Sequence, residues 1–223
     1  MRIITEIGEQ GLTLGERTVK LRPSFHAMTL LGEPEEIVEK FVALHKPPPL
    51  IEHFEFDGDG VKYAGDRVNH DTINRYFREM LFLSWEVITA CAGEQDVTPF
   101  IGEPGARYGS YRLGKVPPEA MLALARNLMH HGCIGKPQPE TGEKKGTHSG
   151  GEFVRAFEAL KFVSLAVAHL GVTEAEAWDL TLTGFQAFWE AKHGKQQERR
   201  YVDEHVKTMA WLAEINKLRD PQR

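Results

Sequence analysis

The run Leu81 to Cys91, LFLSWEVITAC, is apolar on nearly every face of a helix, and no other stretch constrains the fold as much. The helical period begins near His70 and carries Ile73, Phe77, Met80, Leu81, Trp85, Ile88 and Cys91 on one broad face. Asp71 is placed to cap the start, and Gly93 ends the helix. A helix with apolar groups all round has to be enclosed by other elements. The pattern therefore predicts a central, most buried helix inside a multi-helix bundle.

A second stretch, Gly15 to Leu44, supplies the elements that enclose it. Arg17 to Leu21 alternates Thr18 and Lys20 against Val19 and Leu21, the period of a half-buried strand. Leu14-Gly15-Glu16-Arg17 reads as the hairpin turn, with Ile3 to Ile7 and Gly11 to Leu14 as the strand pieces before it. Pro23 stops the return strand, because it offers no backbone donor and restricts Arg22 before it. Ser24 is then positioned to cap a short helix bearing Phe25, Met28, Leu30 and Leu31, closed by Gly32. Pro34 suits a first helical position, and Glu33, Glu35 and Glu36 sit at the positive end of the next helix dipole. Ile37, Phe41 and Leu44 line one face of that helix, flanked by Val38 and Val42.

Beyond His45, Lys46-Pro47-Pro48-Pro49 reads as a stiff extended spacer. Leu50 to Val68 reads as loop, with a little strand at His53 to Phe56. Residues 97 to 116 are rich in Gly and Pro, with Tyr108 to Leu113 as an edge strand. Pro117-Pro118-Glu119 opens a helix with Met121, Leu124, Ala125 and Leu128 on its face, closed by His131 and Gly132. Gly135 to Gly151 is the most polar linker. Capping boxes at Ser149/Glu152, Thr173/Glu176 and Thr183/Gln186 predict helices at about 151–170, 174–179 and 184–193. A last helix, about 198–218, carries Val202, Val206, Met209, Leu212 and Ile215.

The expected fold is thus mainly α: an N-terminal β-hairpin followed by a multi-helix bundle. Its domain plan is a hairpin-plus-helical unit at 1–134, a linker or loop at 135–150 and a helical region at 151–223. The last region either packs on the first as one domain or forms a second helical subdomain.

Charge and composition exclude several functions. The net charge is −5, from 27 basic and 32 acidic residues well mixed along the chain, so no basic face for nucleic acid is expected. No apolar span reaches the length of a membrane helix, and the start MRIITEIGEQG lacks the apolar core of a signal peptide. Two cysteines, Cys91 and Cys133, fit a reduced cytoplasmic setting better than a disulfide framework.

Each candidate reaction centre meets a simpler reading. His130-His131-x-Cys133, with His148 beyond, is the best metal candidate, but adjacent histidines on a helix point about 100° apart and cannot share one ion as an i, i+4 pair can. His131 reads instead as a complement to the negative end of its helix dipole. Asp57-Gly58-Asp59-Gly60 resembles the start of a calcium loop, but Val61, Lys62 and Val68 stand where further ligands and a glycine are needed. Gly142 to Thr147 fails the spacing of a phosphate loop. Ser110 and Ser149 lack a nucleophile elbow, and Cys91 falls inside an apolar helix where a thiol is inert. The pairs Glu35/Glu36 and Glu174/Glu176 are first-turn helix residues. The short helices 174–179 and 184–193 have the order of a helix-turn-helix, but their only recognition-type residue near the second start is Gln186. Phe185, Phe188 and Trp189 remain as core or, where exposed, as the leading partner-binding face. No catalytic residue, metal site or cofactor is expected, and so no enzyme.

The segments GERTVKLRPSF, AM and GEPEEIVEKF resemble the N-terminal part of tail assembly chaperones from long-tailed, siphovirus-type bacteriophages. Those chains begin with a short hairpin and an LRPS-type strand end, then a small helical domain. The start RIITEIGE with RPSF, AM and GEPEEIV is similar to uncharacterised phage tail-region proteins. LTLTGFQAFWEAKHG at Leu180 to Gly194 resembles a helix late in such proteins. The resemblance implies a protein that coats the tape-measure protein, recruits tail-tube subunits during morphogenesis in the host-cell cytoplasm, and is absent from the finished tail. It implies no cofactor, and weak self-association. Many members are made in short and frameshifted long versions. A minor tail, completion or connector protein retained in the virion is the alternative, with a DNA-binding or enzymatic phage protein ranked below it.

Overall fold

The hairpin forms where the alternation placed it. Strands β1 (Gln10–Leu14) and β2 (Arg17–Leu21) pair antiparallel, Leu14 opposite Arg17. Gly15 takes φ +60° in the turn, a conformation most side chains resist. Val19 and Leu21 are buried, whereas Thr18 is exposed and Lys20 is half-buried. This is a computed structural model, and it describes residues 3–48, 51–57, 60–67, 70–107, 109–135 and 155–193. The chain is mainly helical.

Ser24 caps helix α1 (Phe25–Thr29), its hydroxyl accepting from the Ala27 N–H at 3.1 Å. Helix α2 (Pro34–His45) opens on a capping box between Glu33 and Glu36 and buries Ile37, Phe41 and Leu44. Helix α3 (His70–Ala92) is the longest described element, and no residue from Met80 to Ala92 is exposed. It packs against α1, α2, β2 and the later helix α5 (Pro118–Met129). Its first half departs from the expected face. Phe77 is 53% exposed, and Tyr76 is buried instead, with its hydroxyl donating to the Lys46 carbonyl at 2.7 Å.

The hairpin is stapled to the end of α3. Arg22 N–H donates to the Cys91 carbonyl at 2.8 Å, and the Gln95 amide bonds both the N–H and the carbonyl of Lys20. After α3 come a short helix α4 (Thr98–Ile101) and a small ladder, β5 (Gly102–Pro104) with β6 (Tyr111–Leu113). The second part continues with α6 (Ala159–Leu165), α7 (Glu174–Trp178) and α8 (Leu182–His193). Phe25 of α1 stacks on Phe162 of α6 at 5.6 Å between centroids and lies 6.2 Å from Phe185 of α8. Elements on both sides of residues 136–154 therefore share one aromatic core.

Several expectations are corrected. Ile3 to Ile7 is not a strand: Thr5–Ile7 forms a 3₁₀ turn, because the Glu9 carboxylate accepts from Ile4 N–H at 2.8 Å and closes the chain locally. Leu50 to Val68 is not mainly loop, since β3 (Ile51–Asp57) and β4 (Gly60–Arg67) form a hairpin with a register shift between His53 and Phe54. Helix α5 does not stop at His131 and Gly132 but runs on as a π turn, His130–Ile134. Gly132 is buried there, and a Cβ on it would come 2.5 Å from Met28 Sδ. Residues 155–158 are not helical, and α6 begins at Ala159. The cap of α8 is Thr181 rather than Thr183, its hydroxyl accepting from Gly184 N–H at 3.0 Å and donating to the Ile7 carbonyl at 2.7 Å. Gln186 reaches the Ile134 carbonyl instead of closing a box. Tyr108, Gly58, Asp59, His148, the Gly142–Thr147 and Ser149/Glu152 motifs and the helix expected at 198–218 lie outside the described residues.

His131 does not act as a dipole-complementing cation. Its Nδ1 is 2.8 Å from Thr183 Oγ1, and burial, with His130 adjacent, lowers its pKa from 6.5. A Cβ on Gly8 would come 2.3 Å from His131 Cβ, so the ring fills the space that glycine leaves. A histidine held neutral by the fold contributes stability at pH above about 6.5 that is lost as pH falls toward the lowered value, because the unfolded chain then binds the extra proton. We expect wild type to lose stability relative to His131→Asn between pH 7.5 and 5. A flat difference in urea-denaturation free energy over that range would contradict the neutral cross-link.

Candidate functional site

An apolar groove opens between the α1–α2 elbow and α6, with a volume of about 820 Å³. Its position follows from the capping devices. Gly32, at φ +138°, turns the chain from α1 into α2, and Pro34 presents its carbonyl to Phe157 N–H at 2.8 Å. That bond draws the extended segment before α6 against the start of α2. Buried Ile37, Phe157 and Ala159 form the floor. Along α6 and the π turn after it (Ala166–Leu170), Leu160, Ser164 and Ala168 form an i, i+4, i+8 stripe on the groove wall. All three are exposed, Leu160 by 62%. Trp178 of α7 closes part of the rim.

A stripe of one large and two small residues lets a second helix approach closely, as ridges settle into grooves. The ionisable groups in the lining are Glu158 and Lys161, 3.5 Å from each other and exposed. Leu160 is a large apolar side chain left uncovered along this trough. The arrangement is chemically suited to holding the apolar face of a helix by burial, with an ion pair at its edge.

Phe185, Phe188 and Trp189 do not make one face. Phe185 is 6% exposed and belongs to the aromatic core, 5.7 Å from Phe162. Trp189 is half-buried, 5.5 Å from Phe185 and stacked on His193 at 4.3 Å. Phe188 is 56% exposed. Leu182 to Phe185 are all buried, so the start of α8 has no access to a DNA groove. Cys133 Sγ lies 3.5 Å from Met28 Sδ, and burial pushes the Cys91 and Cys133 thiols well above their ordinary range. Among the described residues no group of three or more His, Cys, Asp or Glu could hold a metal ion, and no helix is long and apolar enough to cross a membrane.

Sequence reasoning missed the groove. Leu160 was the available signal: it is the first residue of a LxxxSxxxA spacing on a helix whose other face carries Ala159, Val163 and Ala166. A profile described as a family of unknown function (DUF6246) matches residues 21–207. Neither a curated protein nor a solved structure matches the chain.

Proposed function

We propose that this chain, which belongs to the DUF6246 family of unknown function, is an interaction protein of phage tail morphogenesis that works as tail assembly chaperones do. Its groove between α1–α2 and α6 takes the apolar stripe of an extended helix, that of the tape-measure protein, and keeps it soluble until tail-tube subunits arrive. The observation that carries this reading is the uncovered Leu160–Ser164–Ala168 stripe facing Ile37 and Pro34. Helix-in-groove binding uses anchors at i, i+3, i+4 and i+7, and such contacts gain strength when repeated along one partner. The mixed charge, net −5, suits a chaperone working in the host-cell cytoplasm with weak self-association and no cofactor.

Co-expression tests the reading. The tape-measure protein should be largely soluble with the wild-type chain and largely insoluble with Leu160→Asp, whose exposed position leaves folding intact by circular dichroism. A tape-measure protein equally insoluble with wild type and variant would overturn the proposal. Mass spectrometry of purified particles should find the chain absent.

A further inference from the structure

Helix α6 and the π turn after it form one wall of the groove, and the same helix is a ridge that a matching groove could receive. Leu160, Lys161, Ser164, Val167 and Ala168 are all exposed along it, Leu160 by 62% and Val167 by 40%. The stripe is large at its start and small at its end. A copy of this helix run antiparallel, with the dyad at Ser164, brings residue 160 opposite 168 and residue 161 opposite 167. Leu160 of each copy then settles over Ala168 of the other, a large side chain into the space a small one leaves. The Lys161 stem lies over Val167 and keeps its ammonium in water. Ser164 meets Ser164, where one hydroxyl donates and the other accepts. A parallel pair would set leucine on leucine at one end and leave a void over the alanines at the other.

Charge agrees with the antiparallel order. Phe162 to Ala168 contains no ionisable residue, so the dyad brings no like charges together. At each end Glu158, the exposed residue before α6, comes over His169 of the second copy. The Lys192 ammonium is there too, donating to the His169 carbonyl. Glu158 lies 3.5 Å from Lys161 in its own chain, with both side chains mostly exposed, a pair weak enough to share.

We infer that a second copy of this chain covers the groove when no partner helix is bound, each α6 lying antiparallel in the groove of the other about Ser164. This rests on the groove being a helix-docking surface. A contact of this kind uses one patch twice and closes on itself as a two-fold dimer. Thirteen residues line the groove, about half the roughly 20–30 a side of a standard interface. The pairing is therefore weak, and it yields to a partner that offers many contacts.

Cysteine pairs in the full chain test both the contact and its direction. Under oxidised glutathione, Ser164→Cys should form a disulfide-linked dimer, its yield rising with protein concentration. Mixing Leu160→Cys with Ala168→Cys should give a heterodimer several-fold in excess of either variant alone. Glu119→Cys, exposed on α5, measures the yield from chance collision. Leu160→Asp added to Ser164→Cys should bring the yield down to that level, as should excess of a designed amphipathic leucine–lysine helix. Ser164→Cys no better linked than Glu119→Cys would overturn the inference, and so would Leu160→Cys linking to itself more than to Ala168→Cys. If the designed helix binds the wild-type chain but not Leu160→Asp, while Ser164→Cys stays at the collision level, the self-pairing falls and the docking reading stands. If the cysteines link as expected while the tape-measure protein stays insoluble with wild type, the self-pairing stands and the chaperone reading falls.

Discussion

Replacing Phe25 with alanine should remove about 3–5 kcal/mol of stability. The side chain is fully buried and is the hub for three other aromatic rings: Phe162 at 5.6 Å, Phe185 at 6.2 Å and Phe157 at 6.4 Å. Truncation loses the transfer energy of the ring, leaves a cavity, and forfeits offset and edge contacts of about 0.5–1.5 kcal/mol each. The site has little freedom to collapse. Ser24 caps α1 immediately before Phe25, and Phe25 N–H is bonded to the Leu180 carbonyl at 2.8 Å. The wall on the far side is fixed by the Phe157–Pro34 bond. Urea denaturation followed by tryptophan fluorescence and by circular dichroism should show one transition at a lower midpoint. Trp85 on α3 and Trp178 on α7 should be released together. A loss under about 1 kcal/mol, or separate transitions for the two probes, would mean that the cluster does not join α1 to α6 and α8. Phe25→Leu should cost clearly less, because it keeps most of the volume.

That hub could not be read from the sequence, although its members could. Capping chemistry is local, so Ser24, Pro34, the Thr173/Glu176 box and the stop at Gly93 were all legible from residue type and spacing. The all-apolar run of α3 was equally legible, because a helix with no polar face has to sit among others. Register and partner choice were not. The slip between His53 and Phe54 breaks the alternation of IEHFEFD, so the period-two signal that identifies a strand fades in the middle of one. Thr181 and Thr183 both offer a hydroxyl before the same apolar run. Only the long-range bonds, Thr181 to Ile7 and Thr183 to His131, decide which one caps α8. Phe185 and Phe188 carry the same side chain three residues apart, yet one is core and the other surface, since Phe162 comes from another helix to cover the first. The groove depends on Pro34 meeting Phe157, more than a hundred positions away in the chain, and no local pattern announces that contact.

Glu9→Ala should cost about 3 kcal/mol, the other large loss expected from a single change. The carboxylate is 0% exposed, and its two oxygens do different work. Oε2 accepts from Ile4 N–H at 2.8 Å, holding the 3₁₀ turn that sets Gly8 against His131. Oε1 lies 2.7 Å from Lys20 Nζ and 3.1 Å from Arg22 Nε. Neither cation is aligned for a hydrogen bond to Oε1, so the attraction there is between charges. Alanine would strand the Ile4 N–H and leave both cations facing a vacated, water-poor space. Their side chains are 22% and 34% exposed and can swing outward, which holds the loss toward the lower end for a broken buried pair. Glu9→Gln should fall between wild type and alanine, since the amide oxygen still serves Ile4 while the charge is gone. A double-mutant cycle separates the two roles: Lys20→Met with Glu9→Gln should show coupling, and Lys20→Met should leave the Ile4 contribution untouched. Urea-denaturation free energies that place Glu9→Ala within about 1 kcal/mol of wild type would show that the N-terminal turn is held by Thr181 and His131 without the carboxylate.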